Sequence, residues 1–407
     1  MRIMLITTGS FPHVGGKSSH IQSLIQGFEQ IGDNCSVFSY SDIHSHFSTK
    51  KNLFRLLLSP MRIISFDSYA WMVEHYEQKL FSRFLLHQDA NNFDIILAED
   101  PVAALISNKV FSSKKPIVLT MHSYFGKSMG IIGKKVFSPT TKYYEQVKKE
   151  HLSAINVVDL IIGVDDRIKN DCISYIAENG YNSPKVIAIE NFVDTEKYCP
   201  IENNYSLTDI KRKYGVEGKR IISCIRRLCD KNGVVFAVRA MSYLSDDYVL
   251  LVGGDGDCKR EIEKEIEESG LQNKVLLLGA VQNDEVLKLY SISDYSLVPS
   301  ITVNGLQEAT SISALEAMSF SIPVIASNIG GLKQIINNRQ NGFLVEEQNP
   351  KEIAHTITEL GLNPELLKTV KTNARKTVVE NYSYIAGARR YHDALVGVTN
   401  RHELQTQ

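Results

Sequence analysis

Along the chain, short apolar runs alternate with polar or glycine-containing turns and with segments whose apolar positions recur at helical spacing. Residues 3–7 form the first run. They lead through Gly9 and Pro12 into a segment in which Ile21, Leu24, Ile25 and Phe28 share one helical face. Runs of the same kind at 35–38, 94–98, 117–121, 160–164 and 186–189 predict five further strands, and a second series predicts strands at 220–225, 249–252, 275–278, 295–298 and 323–326. Strands that alternate with helices make parallel sheets covered on both faces. The fold class read from the pattern is therefore α/β, two Rossmann-like doubly wound domains facing across a cleft. Ligands of such sheets bind beyond the carboxyl ends of the strands, so the substrate site is expected there.

The first domain is expected over residues 1–195 and the second over 212–380. The linker between them, 196–211, falls where Asp194, Pro200, Asn203 and Asn204 interrupt the apolar periodicity and Lys211-Arg212-Lys213 precedes the next strand. Near the end of the chain, Ile385, Ala388, Tyr391 and Leu395 lie close to one helical face. Residues 42–68 and 126–144 match no motif.

Composition narrows the class. With 407 residues, 45 basic and 46 acidic side chains and 43% hydrophobic residues, the chain is globular and has no global charge to draw it to nucleic acid or an anionic membrane. Its apolar runs are strand-sized, well short of the ~18 residues of a membrane helix. Arg2 followed at once by an apolar run reads as a buried first strand and not as a signal peptide, so a cytoplasmic protein is expected. The six cysteines form no CxxC pair and read as core thiols. One local bias stands out, because residues 101–150 hold nine Lys or Arg against Glu145 and Glu150. That excess, centred on 109–149, is either a solvated helical face or a patch for an anionic acceptor or the inner face of a membrane.

The chemistry concentrates near the end of the second series. Glu308 and Glu316 are separated by seven residues, and a helix beginning near Thr310 would leave Glu308 in the preceding loop and Glu316 about two turns inside. The free amides at such a helix start, with the positive end of its dipole, suit a diphosphate. A carboxylate at either end could then accept hydrogen bonds from the hydroxyls of a sugar and of a ribose. After the pair come Ala317-Met318, Pro323-Val324-Ile325-Ala326 and Gly330-Gly331.

In these features the sequence resembles the retaining family-4 glycosyltransferases of the GT-B fold, with their E-x7-E signature. Further motifs arrive in the family's order over nearly the whole chain: Gly15-Gly16, Asp94-Ile95-Ile96, Leu119 to His122, Asn191 to Asp194, Arg226-Arg227-Leu228, Gly253 to Gly256 and Asp294 to Ser300. Where the family usually has E-G-F-G, this chain has Glu308-Ala309-Thr310-Ser311. The resemblance implies transfer of a sugar from a nucleoside diphosphate sugar, most often a UDP-sugar such as UDP-GlcNAc or UDP-glucose, to a hydroxyl acceptor that is a small molecule, a lipid-linked molecule or a glycan. It implies Glu308, His122, Arg227 and Lys231 as catalytic residues, with Asn232 the alternative to Lys231 at the family's usual spacing. Gly16, Val281, Ala309, Thr310, Ser311 and Glu316 would join Arg227 and Lys231 at the donor, and Gly15, Lys17 and His20 would face the acceptor. The two cations would balance the diphosphate, so neither metal nor cofactor is expected. The resemblance also implies that the C-terminal helix, 384–400, returns to complete the first domain.

Other signals weigh less. Asp255-Gly256-Asp257 is a DxD tripeptide, yet it follows a strand of a doubly wound domain and reads as a turn. G-x-G-x-x-G is absent, as are H-E-x-x-H and G-x-S-x-G, and no nucleic-acid partner is indicated. Two alternatives to transfer remain open: a nucleotide-sugar hydrolase or epimerase on the same fold, and a non-catalytic nucleotide-sugar sensor.

Overall fold

The computed structural model describes residues 1–13, 16–111, 115–123, 142–180, 184–200 and 206–406. The chain divides into two compact units, Met1–Glu190 with Gly387–Gln407, and Asn191–Ala386.

Unit 1 runs β1 (Arg2–Thr7), α1 (Gly16–Gln30), β2 (Asn34–Ser39), α2 (Tyr40–Leu57), α3 (Met61–Ile64), α4 (Phe66–Leu85), β3 (Ile95–Ala98), α5 (Pro101–Phe111), β4 (Ile117–Met121), α6 (Lys142–Ser153), β5 (Leu160–Gly163), α7 (Asp166–Asn179) and β6 (Lys185–Ala188). Its six strands are parallel, in the order β2-β1-β3-β4-β5-β6. Strands β3, β4 and β5 are buried throughout, as central strands covered on both faces must be. The long stretch without a motif is helical. Ser39 and Asp42 form a capping box that starts α2, and Ser65 caps α4.

Unit 2 runs α8 (Leu207–Tyr214), β7 (Arg220–Ile225), α9 (Val234–Ala240), β8 (Tyr248–Gly253), α10 (Lys259–Glu268), β9 (Val275–Gly279), α11 (Asn283–Ile292), β10 (Tyr295–Val298), α12 (Ile312–Ser319), β11 (Val324–Ser327), α13 (Leu332–Ile335), β12 (Phe343–Val345), α14 (Pro350–Leu362) and α15 (Pro364–Asn381). The parallel order β12-β11-β10-β7-β8-β9 is that of a dinucleotide-binding Rossmann sheet. Strand β12, with three residues, is too short to show a period and was not anticipated. Val193 bridges Ser383, so residues on both sides of the expected linker close the same unit. The last helix, α16 (Tyr384–Thr406), buries Ala388, Tyr391, Leu395 and Val398. Among the described residues, no helix is long and apolar enough to cross a membrane.

Candidate functional site

In unit 2 the strand order reverses between β7 and β10, and the loops that leave their carboxyl ends carry the candidate chemistry. Glu308 lies in the loop before α12. Its Oε1 is 3.1 Å from the Arg226 guanidinium, and its Oε2 is 3.5 Å from Ser300 Oγ and 3.9 Å from Lys231 Nζ. Arg226 also donates to Ser300 Oγ at 2.8 Å and to Asn232 Oδ1 at 3.2 Å, while the Asn232 amide donates to the Arg227 carbonyl at 2.7 Å. The Arg226 side chain is only 4% exposed, so the ion pair with Glu308 sits where water screens it little. A planar guanidinium with several fixed donors can hold a carboxylate in one orientation.

The backbone is fixed as tightly. Arg226 N–H donates to the Gly253 carbonyl, and Gly254, at φ +154°, comes so close to the Arg226 carbonyl that a Cβ there would lie 1.8 Å from its oxygen. Gly331 N–H donates to the Glu308 carbonyl at 2.9 Å, and a Cβ on Gly331 would meet Ala309 C and Thr310 N at 2.5 Å. Only glycine permits these approaches. Asn191 braces the same loop by donating to the Thr310 carbonyl.

Helix α12 begins at Ile312, two residues later than its expected start, because Ser311 is the extended N-cap residue. Glu316 is therefore its fifth residue, about one turn inside and not two. Ser311 makes no side-chain cap bond, so among the described residues the first-turn amides are not capped by it, and a helix start of this kind suits an anion. Ala309 is partly buried, Thr310 and Ser311 are buried, and Val281 packs on the core beside Gly253. Glu316 is buried beside Tyr290, whose hydroxyl lies 3.4 Å from Oε2. Burial pushes its carboxyl up to about 7, against hydrogen bonds from Tyr198 and Tyr290 and the charge of Lys197.

The two cations expected at the diphosphate do not share one setting. Lys231 is near Glu308, whereas the Arg227 side chain is exposed and the guanidinium on the carboxylate belongs to its neighbour Arg226. Asp255 of the DxD tripeptide accepts from Gly256 N–H, and its carbonyl accepts from Leu228 N–H, which ties the turn after β8 to the loop after β7.

In unit 1 the order reverses between β1 and β3. His122, just past β4, donates from Nε2 to Glu99 Oε2 at 2.7 Å, and its ring meets His20 edge-on at 4.9 Å. Glu99 is fully buried. Burial acts to raise its carboxyl, but the His122 hydrogen bond and the charges of His122, His20 and Lys17 outweigh it and hold the group below the usual range. An ionised Glu99 only accepts, so the proton is on His122 Nε2. His20 is buried and lies against Tyr391 of α16, with 3.5 Å between its Nε2 and the tyrosine hydroxyl. Lys17 pairs with Asp100 at 2.8 Å. Burial raises the Asp100 carboxyl, yet Lys17 and the amides of Thr8 and Ala103 bring it down to about 2. Gly16 opens α1, while Gly15 lies outside the described residues, as does much of the basic stretch 109–149.

Among the described residues two groups could hold a metal ion: His20, Glu99 and His122, and Asp230, Cys258 and Glu261. In the first, the Glu99–His122 hydrogen bond occupies the ligand atoms that face each other. In the second, burial and the Asp230 hydrogen bond push the Cys258 thiol up to about 12.

Two doubly wound units, one with a carboxylate beside a helix start at its switch point, are the architecture of the GT-B fold. Two solved structures share the fold. HepE of Anabaena in complex with UDP is 16% identical over 98% of this chain and 100% of that one, with a TM-score of 0.68, and sucrose-phosphate synthase of Thermosynechococcus elongatus is 16% identical over 98% and 99%, with a TM-score of 0.71. Residues 14–197 match Glycosyltransferase Family 4 and residues 207–377 match Glycosyl transferases group 1. The chain belongs to the glycosyltransferases that join these two domains. An uncharacterised glycosyltransferase of Methanocaldococcus jannaschii is 27% identical over 94% of this chain and 95% of its own length.

Proposed function

We propose that this glycosyltransferase moves a hexose from a UDP-sugar to a hydroxyl acceptor with retention of anomeric configuration and without a metal ion. The observation that carries the reading is the Glu308 carboxylate, held by buried Arg226 beside the uncapped start of α12. Its orientation is set before substrate arrives, and preorganised charge of this kind stabilises a transition state without reorganisation at the moment of reaction. In this reading the α12 amides with Lys231 and Arg227 receive the diphosphate, Glu308 accepts from the sugar hydroxyls, and Glu316 accepts from the ribose. His122, with its tautomer fixed by Glu99, is the unit 1 side chain assigned to the transferred sugar. The acceptor hydroxyl attacks on the face that the diphosphate leaves, and the departing phosphate takes its proton. A UDP donor is supported by HepE, solved with UDP and with UDP-glucose.

The test is a thermal-shift screen of nucleotide sugars, followed by release assays on the best binder in excess chelator. A UDP-sugar should raise the melting temperature most, and release should require an acceptor and survive the chelator. Release without acceptor would make the protein a hydrolase. Loss of activity in chelator, restored by Mn²⁺ or Mg²⁺, would overturn metal independence.

Glu316 makes donor binding depend on pH. Below about 7 the free protein holds this carboxyl protonated, whereas ribose hydroxyls favour the ionised form, so binding releases a proton. Affinity should fall by up to about tenfold for each pH unit below about 7 and level off above it. Glu316→Gln should weaken binding by about 1 to 3 kcal/mol at high pH and flatten the profile. Calorimetric titration of UDP across this range checks both. The same shift makes the fold lose stability as pH rises from about 4.5 to about 7, because the unfolded carboxyl ionises first.

A further inference from the structure

In unit 1, α2 and α4 form an antiparallel hairpin. Phe54 stacks on Tyr76 with ring centroids 3.9 Å apart, and Lys51 and Arg55 both pair with Glu77, at 3.3 and 2.6 Å. These contacts tie the stem. The tip, α3 and the residues on either side of it, turns large apolar side chains to solvent: Leu56 and Leu57 are 68% and 69% exposed, and Ile63 and Ile64 are 90% and 84% exposed. Single exposed apolar residues are ordinary, but several within ten residues form a patch, and a patch marks an interaction surface.

Charge indicates what covers it. Between Asp42 and Asp67 there is no acidic residue; Lys51 and Arg55 share the single carboxylate of Glu77, so with Lys50 and Arg62, both exposed, the hairpin keeps an excess of positive charge near its tip. A second copy of this chain would bring the same cations to the contact and be repelled. An anionic bilayer surface offers phosphates to the cations and an acyl boundary to Leu and Ile, the pairing that holds interfacial helices in place. We propose that the tip of the α2–α4 hairpin is a membrane-docking element that inserts Leu56, Leu57, Ile63 and Ile64 into the headgroup region of an anionic phospholipid bilayer, with Lys50 and Arg62 on the phosphates. The element brings the enzyme to acceptors at a lipid surface. The hairpin belongs to unit 1 and the candidate donor residues to unit 2, and the inference does not rest on the catalytic reading.

The experiment is sedimentation of the full chain with vesicles of phosphatidylcholine alone and of phosphatidylcholine mixed with phosphatidylglycerol, at low and high salt. The protein should pellet with the mixed vesicles at low salt and much less with the neutral ones. The double variant Ile63→Asp, Ile64→Asp should cut the bound fraction at least about tenfold, and Arg62→Glu should cut it severalfold. Both isoleucines are exposed, so the double variant should keep the wild-type melting temperature and the wild-type affinity for UDP. Equal binding to neutral and anionic vesicles, no binding to either, or a double variant that binds like wild type would each overturn the proposal. So would a dimer in analytical ultracentrifugation that the double variant dissolves, which would make the tip a self-association face.

Discussion

Glu308→Gln should lower the rate of sugar transfer by roughly two to three orders of magnitude, the usual loss when one preorganised charge is removed from a dry site. Nucleotide affinity should change little, because the proposed diphosphate contacts belong to the α12 amides and the nearby cations. The fold should survive, since the glutamine oxygen can still accept from Arg226 and the loop remains pinned through Gly331 N–H. Arg226→Met makes the contrasting case. It leaves a mostly buried carboxylate facing Ser300 and the more distant Lys231, and removing one partner of such a pair typically costs about 3 to 5 kcal/mol. That variant should lose stability as well as transfer, whereas Glu308→Gln should lose transfer alone. Steady-state rates and calorimetry on both variants check this, and comparable turnover by Glu308→Gln and wild type would remove Glu308 from the reaction.

What the sequence makes legible follows from how local each signal is. The central strands of both sheets announce themselves because they are buried on both faces, which leaves runs such as 3–7 and 160–164 almost free of polar residues, whereas the three-residue edge strand β12 gives no such run. The E-x7-E pair is legible because both carboxylates belong to one loop and one helix. Arg226 is harder to see. In an Arg226-Arg227 doublet at a strand end, one side chain is buried and its neighbour exposed, and which is which is decided by Ser300 and Asn232, one of them 74 residues away. Glu99 is hidden in the same way, because its partner His122 is on the next strand of the sheet and composition alone makes it one more acid at a strand end. The α2–α4 hairpin is a different case. The capping box at Ser39 and Asp42 is readable as a helix start, but the exposed apolar residues beyond it break the one-sided pattern on which helix recognition depends.

Deleting residues 387–407 should unfold unit 1 while leaving unit 2 able to bind nucleotide. The deletion removes Ala388, Tyr391, Leu395 and Val398, all buried, and each large apolar side chain contributes about 1.5 to 3 kcal/mol. It also removes two polar anchors. Arg390 pairs with Glu190 at 3.1 Å, and His392 lies 2.6 Å from Asp33, the buried carboxylate that also holds the N-terminal ammonium at 2.6 Å. Set against the roughly 5 to 15 kcal/mol by which domains are stable, this loss is enough to unfold the unit. Calorimetry should then show a single transition that still rises with UDP, and transfer should be absent because His20 and His122 lose the Tyr391 wall of their cluster. Tyr391→Ala is the milder form of the same experiment. It should destabilise unit 1 by about 3 to 5 kcal/mol, the usual cost of emptying an aromatic site, and leave enough folded protein to measure reduced turnover. Removing only 401–407 should do little, because the side chains of Arg401, Glu403 and Leu404 are exposed. A fully active enzyme ending at residue 386 would show that α16 is dispensable to the first unit and that the His20–His122 cluster is held without it.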